Sequence, residues 1–317
     1  MLLLWLLLAV IILVLVISFI CYRIVFYAAP SQPLGPDEFD IPDGPIYEPH
    51  RNTMIRWMKA VRQMARQDVT IQSFDGLKLT GSYYEYEPGA VTELMFHGYR
   101  GSAERDLCGG VHRAFSLGHN VLIVDQRTSC RSEGHTISFG INEHRDCLAW
   151  IDFAIHFLGP DVKLILTGIS MGAATVLMAA GRELPENVVG VLADCGYHSA
   201  REIICKCARQ MKLPPRLVYP FIKLGARLYG NFDLEEYSPI EAMRTCKVPV
   251  IFFHGDADDF VPCEMSWENY NACAAPKKLV ITRNAGHGLC YVMEPKRYLQ
   301  EMADFFNENG VPTTVRK

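Results

Sequence analysis

The sequence contains no His-Glu-x-x-His and no Cys-x-x-Cys, and Cys205-Lys206-Cys207 has no matching second pair. Those absences argue against a zinc hydrolase and against a structural zinc site. No glycine-rich loop opens a helix with Lys-Ser/Thr, so nucleotide phosphates have no cradle. There is no long basic run, and 35 acidic residues against 31 Lys and Arg leave a formal net charge of −4. Nucleic acid is therefore not an expected partner. Internal repeats are missing, and the 11 cysteines are odd in number and scattered, which reads as reduced thiols rather than a disulfide framework. With no metal and no cofactor expected, the chemistry has to come from ordinary side chains.

At 317 residues the chain is long enough for one large α/β domain with an appendage. Met1 to Ile20 is almost wholly apolar, and the next charge is Arg23. About 20 apolar residues at 1.5 Å rise span a bilayer core. A cleaved leader would have a basic start, a shorter apolar run and a better cleavage site than Tyr27-Ala28-Ala29. The expectation is an uncleaved single-pass anchor over residues 1–27. Arg23 alone orients it weakly, and the reduced thiols favour a cytoplasmic catalytic domain.

Residues 28–67 read as a linker followed by a basic amphipathic helix. The first part is rich in proline, glycine and acids. In the second, Met54, Ile55, Met58, Val61 and Met64 recur at helical spacing among Arg51, Arg56, Lys59, Arg62 and Arg66. That stripe fits either an anionic leaflet or the face of a neighbouring domain. From residue 68 to 317 a single domain is expected. Val69–Ser73 and Leu77–Tyr86 form a hairpin. Strands then alternate with helices: Glu93–Phe96, Val121–Val124, Val162–Thr167, Val188–Ala193, Val248–His254 and Leu279–Thr282. An antiparallel start followed by repeated β-α units predicts a mostly parallel sheet covered on both faces. Residues 195–246 interrupt the rhythm with apolar helical patterns. They are expected to form a helical cap, with Phe221 and Leu224 over the substrate.

The most informative stretch is Gly168-Ile169-Ser170-Met171-Gly172, between an apolar strand and an alanine-rich helix. A serine on so tight a strand-to-helix turn has its hydroxyl lifted out of the sheet, and the following helix directs free N–H groups toward it. Ser170 needs a base. His287, in Asn284-Ala285-Gly286-His287-Gly288 after the last strand, is the candidate, while His97 and His254 read as structural. The base needs a carboxylate. Asp256, Asp258 and Asp259 follow one strand and Asp194 follows another, and spacing does not choose among them. An oxyanion would take the backbone N–H groups of Met171 and of Tyr99 in His97-Gly98-Tyr99-Arg100-Gly101, each worth about 3 kcal/mol.

Taken together, His97-Gly98-Tyr99, Asp125-Gln126-Arg127, Gly168–Gly172, His254-Gly255 with Val261-Pro262, and Gly286-His287-Gly288 resemble the α/β-hydrolase superfamily from about Val69 onward. More narrowly, the chain resembles membrane-anchored bacterial serine hydrolases, serine aminopeptidase-like or acyl-ester hydrolase-like. The resemblance implies an eight-stranded, mostly parallel sheet and the order Ser, Asp, His. It aligns the acid with Asp258, with Asp256 and Asp194 as alternatives. It implies a small-molecule acyl substrate, a carboxylic ester first. A peptide amide, a thioester, acyl transfer or a non-enzymatic scaffold would be the alternatives. Thr128 and Cys130 stand where the family has small residues or glycine, in a loop that borders the site in relatives.

Overall fold

A computed structural model of the chain describes residues 1–29 and 34–316. It opens with helix α1 (Leu2–Val25), and α2 (Arg51–Gln63) follows a short 3₁₀ turn at Glu48–His50. The sheet domain then runs β1 (Gln67–Gln72), β2 (Lys78–Tyr84), β3 (Thr92–Phe96), α3 (Ala103–Ser116), β4 (Asn120–Asp125), α4 (Glu143–Leu158), β5 (Leu164–Ile169), α5 (Met171–Ala180) and β6 (Val188–Asp194). Three helices come next: α6 (Ala200–Gln210), α7 (Pro215–Tyr229) and α8 (Pro239–Met243). The chain closes with β7 (Val250–Gly255), α9 (Cys263–Ala272), β8 (Lys277–Thr282), α10 (Cys290–Met293) and α11 (Pro295–Glu308).

The eight strands lie in the order β1-β2-β4-β3-β5-β6-β7-β8. Only the β1/β2 and β2/β4 pairs are antiparallel, and the remaining pairs are parallel. Strands alternate their side chains between two cores, as the pleat requires. Leu94 and Phe96 of β3 point into the core with Trp150 of α4 and Val176 of α5. Met95 points the other way, into the core with α2, α3 and α11. Parallel order brings the carboxyl ends of β3, β5, β6, β7 and β8 to one edge, where ligands bind in such sheets.

The segments before and between the strands depart from expectation. The apolar stripe of α2, with Trp57, Met58 and Val61 buried, packs on α3, which decides between the two partners its periodicity allowed. Its basic face serves the preceding segment. Arg62 pairs with Glu104 at 2.7 Å and donates to the carbonyls of Pro36 and Glu38 at 2.5 and 2.7 Å. Residues 34–50 therefore lie as a strap along the domain, with Ile41 buried in the main core. Residues 30–33 of the expected linker lie outside the described residues.

Nor does α1 end as a free anchor. Its first two-thirds are exposed and apolar, but Ser18, Tyr22 and Phe26 are buried. The Phe26 ring sits edge-on to Phe139 at 5.8 Å and Phe232 at 5.3 Å, and Tyr22 Oη bonds Thr136 Oγ1 at 2.7 Å. Helix α7 crosses α1 so closely that a Cβ on Gly225 would lie 2.5 Å from the Ser18 carbonyl oxygen. The apolar side chains of α6 and α7, Ile203, Ile204 and Ile222 among them, complete this third core around Tyr22, Phe26 and Met171.

Phe26→Ala should destabilise the full-length protein in detergent by about 3–5 kcal/mol, the cost of emptying a fully buried aromatic site. Chemical denaturation followed by tryptophan fluorescence reads it. An unchanged midpoint would mean that the end of α1 does not belong to the folded domain.

Candidate active site

Ser170 occupies the turn between β5 and α5 with φ +57° and ψ −118°. A non-glycine residue there is strained and persists only when its surroundings force it. The flanking glycines show how. A Cβ on Gly168 would lie 2.1 Å from the Gly172 carbonyl oxygen, and a Cβ on Gly172 would lie 2.0 Å from the Phe96 carbonyl oxygen. The Ser170 N–H is held by the Asp194 carbonyl at 2.8 Å. The turn can therefore close only with glycine on both sides, and it aims the serine hydroxyl at the carboxyl edge of the sheet.

His287 arrives on the loop after β8. Its Nε2 lies 2.9 Å from Ser170 Oγ, and its Nδ1 lies 2.7 Å from Asp258 Oδ2. Of the four candidate acids, only Asp258 meets the imidazole. Asp194 Oδ2 accepts from Tyr298 Oη at 2.9 Å, Asp256 Oδ1 accepts from the Asn284 N–H at 2.6 Å, and the Asp259 carbonyl accepts from Lys206. The other oxygen of Asp258 accepts the N–H groups of Phe260 and Val261 at 3.0 and 2.8 Å, which fixes the carboxylate plane. Burial pushes this carboxyl up, but hydrogen bonds from His254 and His287 more than offset it, so the group is held well below the usual carboxylate range. It stays ionised, and an ionised partner selects the Nδ1–H tautomer of His287, leaving Nε2 to accept from the serine.

His254 has more to do than its place at a strand end indicated. It is fully buried. Its Nε2 lies 2.9 Å from the Val261 carbonyl and 3.2 Å from Asp258 Oδ2, and its Nδ1 lies 2.6 Å from Ser266 Oγ. The ring braces the loop that carries the acid. Nothing in the sequence distinguished that role from a packed histidine.

Tyr99 and Met171, the expected oxyanion donors, have backbone N–H groups with no hydrogen-bond partner among the described residues. Met171 is the first residue of α5, so helix geometry leaves its N–H unpaired. The Tyr99 loop is firmly tied. His97 Nδ1 lies 2.8 Å from the Gly98 carbonyl, its Nε2 accepts from the Gln126 N–H at 3.0 Å, and Gly98 N–H donates to Asp106 at 2.8 Å. It is also tied to the end of α1. Tyr99 Oη donates to the Val25 carbonyl at 2.7 Å, and Arg100 donates to the Ile24 and Tyr27 carbonyls at 2.8 and 3.0 Å. Sequence reading missed this link, because more than 70 residues separate the two ends.

A cavity of about 320 Å³ opens at Ser170 and His287. Among the described residues none from 195–246 lines it, so Phe221 and Leu224 do not cover it as expected. Its walls come instead from the strap (Pro42, Tyr47), α2 (Trp57), the interior of α3, and α10 (Tyr291). Tyr47 Oη donates to the His287 carbonyl at 3.1 Å, across 240 residues. The physical reason is that α6 and α7 are used up in covering the end of α1. Thr128 and Ser129 border a second, smaller cavity of about 210 Å³ beside the end of α1. Thr128 and Cys130 adopt φ of +73° and +46°, the region that glycine enters without strain. The ligating atoms of Cys195, Asp258 and His287 lie within 4.8 Å of one another, a grouping the sequence did not disclose. Burial pushes the Cys195 thiol well above its ordinary value, which opposes the thiolate a metal would need.

A strained serine on a strand-to-helix turn, backed by an imidazole and a carboxylate at the carboxyl edge of a parallel sheet, is an arrangement able to carry out nucleophilic chemistry on an α/β fold. The comparisons narrow it. The family model described as the alpha/beta hydrolase fold matches residues 94–204. The Bacillus subtilis protein YqkD is 27% identical over 255 residues, covering 79% of this chain and 83% of its own. Protein bem46 of Schizosaccharomyces pombe is 24% identical over 254 residues, covering 78% and 76%. Among solved structures, an esterase of Pyrococcus furiosus superposes with a TM-score of 0.66 at 19% identity, over 89% of this chain and 98% of that one. The chain has the alpha/beta hydrolase fold.

Gly172→Ala should cost about 1–3 kcal/mol or more, because the new methyl meets backbone that cannot move aside. A thermal melt compared with Gly89→Ala, whose Cβ would meet nothing within 4 Å, separates the steric effect from a general one.

Proposed function

We propose that this chain is a membrane-anchored serine hydrolase that cleaves a carboxylic ester through an acyl-Ser170 intermediate. The observation that carries the reading is the unbroken chain of hydrogen bonds Ser170–His287–Asp258 on a turn that exposes the serine. His287 Nε2 takes the Ser170 proton as Oγ attacks the ester carbonyl carbon. The oxyanion accepts from the Tyr99 and Met171 N–H groups. As the tetrahedral adduct collapses, the imidazolium returns its proton to the departing alkoxide, with Asp258 stabilising the charge. Water then repeats the sequence on the acyl-enzyme and frees the acid. The triad and its two donors complete this cycle with the chain's own atoms.

An ester is preferred over an amide or thioester because the Pyrococcus furiosus neighbour bears the name esterase. For the anchor, α1 carries no charged residue before Arg23, and the burial of Tyr22 and Phe26 argues against removal of the segment as a leader. The reduced thiols favour a cytoplasmic catalytic domain. The domain proper starts near residue 68, and the ends of α1 and the strap complete its site.

Ser170→Ala should lower kcat by a factor near 10⁶ and abolish fluorophosphonate labelling while the fold persists. Equal labelling of the variant would remove the serine from the mechanism. A panel of p-nitrophenyl esters, thioesters and aminoacyl amides ranks the substrate classes.

Asp258→Asn should lower kcat by about 10⁴, and far more than Asp256→Asn or Asp194→Asn. A larger effect at Asp194 would overturn the choice of acid.

The full-length protein should stay with membranes through salt and alkaline carbonate extraction. Its recovery in the soluble fraction with an intact N-terminus would refute the anchor.

A further inference from the structure

The cavity at Ser170 does not end in a purely apolar wall. It runs inward along the sheet face beneath α3, past Met95, Thr167 and Leu192, and its lining includes Arg113 and Asp194. Both are more than nine-tenths buried, with exposures of 5% and 7%. Each keeps one polar atom without a partner among the described residues: Nε of Arg113 and Oδ1 of Asp194. Buried polar atoms are nearly always paired, and leaving two unpaired at one cavity is costly. Arg113 Nη2 donates to Glu93, and Asp194 Oδ2 accepts from Tyr298 Oη at 2.9 Å. Glu93 also takes Thr167 Oγ1 and His119 Nδ1, each at 3.0 Å.

Two glycines in the interior of α3 contribute to the space. Each costs about 1 kcal/mol relative to alanine in a helix. Gly109 and Gly110 both line the cavity, and a Cβ on either would lie 3.0 Å from the Trp57 ring or 3.1 Å from Met95 Sδ.

We propose that Arg113 Nε and Asp194 Oδ1 form an inner polar subsite that holds an uncharged group able both to accept and to donate a hydrogen bond, a hydroxyl or a carboxamide, carried by the substrate at a distance from its scissile ester. A hydroxyl oxygen accepts from the Arg113 N–H and turns its proton to Asp194. Charge bookkeeping favours a neutral group. Burial pushes the Glu93 carboxyl up, but Arg113, His119 and Thr167 more than offset it and bring it down to about 2, so Glu93 already balances Arg113. Burial raises the Asp194 carboxyl, which Tyr298 only partly offsets. An anion would lie unpaired against the Asp194 carboxyl, and a cation could not accept from the Arg113 N–H. The proposal deepens the ester-hydrolase reading and rests on it only in taking the ligand to be the substrate of Ser170.

The test separates binding from chemistry by using the full-length Ser170→Ala protein in detergent. Calorimetric titration compares p-nitrophenyl hexanoate with p-nitrophenyl 6-hydroxyhexanoate. It also compares hexyl acetate with 6-hydroxyhexyl acetate, so that the hydroxyl is offered on the acyl side and on the alcohol side. A site built around a substrate hydroxyl rejects the analogue without it. The expected result is tighter binding of the hydroxylated ligand in one pair, by on the order of tenfold or more. The preference should invert when Asp194→Leu is combined with Tyr298→Phe. Should that pair not fold, Asp194→Asn, which keeps the shape and alters the donor pattern, should shrink the preference. Equal affinity within both pairs would overturn the subsite and leave the two atoms simply hydrated. A preference that survives the Asp194 variants would place the hydroxyl elsewhere and also overturn it. Absence of ester turnover by the unsubstituted protein, with the binding preference intact, would refute the hydrolase reading and spare the subsite.

Discussion

The structure depends on a backbone constraint at one residue. Ser170 can hold φ +57° only because Gly168 and Gly172 let the turn close against each other and against Phe96, and because the Asp194 carbonyl captures the Ser170 N–H. Those contacts link β3, β5 and β6 at their carboxyl ends. The alanine-rich character of α5 follows from the same requirement. A helix that starts on the turn must lie close over the sheet, and all ten of its residues are buried. The strain at the turn is offset by this packing, as strain at reactive positions generally must be.

Around that point the molecule arranges charge in dry surroundings. Asp258 is held ionised by two imidazoles and two backbone N–H groups, and Glu93 by Arg113, His119 and Thr167. Arg127 bridges Asp146 and Asp75 through paired hydrogen bonds behind the loop that follows β4. Buried ions without such partners would cost several kcal/mol each. Paired, they fix the loops that end the strands, and Ser170, His287 and Asp258 sit at those strand ends. Rigidity at this edge of the sheet therefore comes as much from satisfied charge as from apolar packing.

The segments outside the sheet domain are parts of the site. The end of α1 supplies carbonyls to Tyr99 and Arg100, and the strap supplies Tyr47 to the His287 loop. A terminal apolar helix and the extended segment after it would ordinarily be free to move relative to a domain. Here their hydrogen bonds run to the loops that carry an expected oxyanion donor and the expected base. The apolar helices of 195–246 are correspondingly committed to the end of α1, which is why the cavity has its walls on the other side.

Much of this was legible in local patterns. Eight strands, their parallel order after an initial hairpin, the serine turn and the His287 loop all follow from short-range rules: pleat periodicity, glycine at a tight turn, small residues in a loop after a strand. Those rules act within a few residues, so the sequence alone expresses them. Four features were settled only by tertiary structure. Spacing left Asp256, Asp258, Asp259 and Asp194 equivalent; the resemblance pointed to Asp258, and the contact itself, 2.7 Å from His287, exists only where β7 approaches β8. The stripe of α2 needed α3 beside it to name its partner. The helices of 195–246 looked like a cover for substrate, and the burial of Tyr22 and Phe26 gave them a different one. Arg113 and Asp194 carried no motif, since an unpaired buried atom exists only once its neighbours are in place. Periodicity reports which face of an element is buried, but it does not report against what, because that depends on contacts between residues that the chain holds far apart.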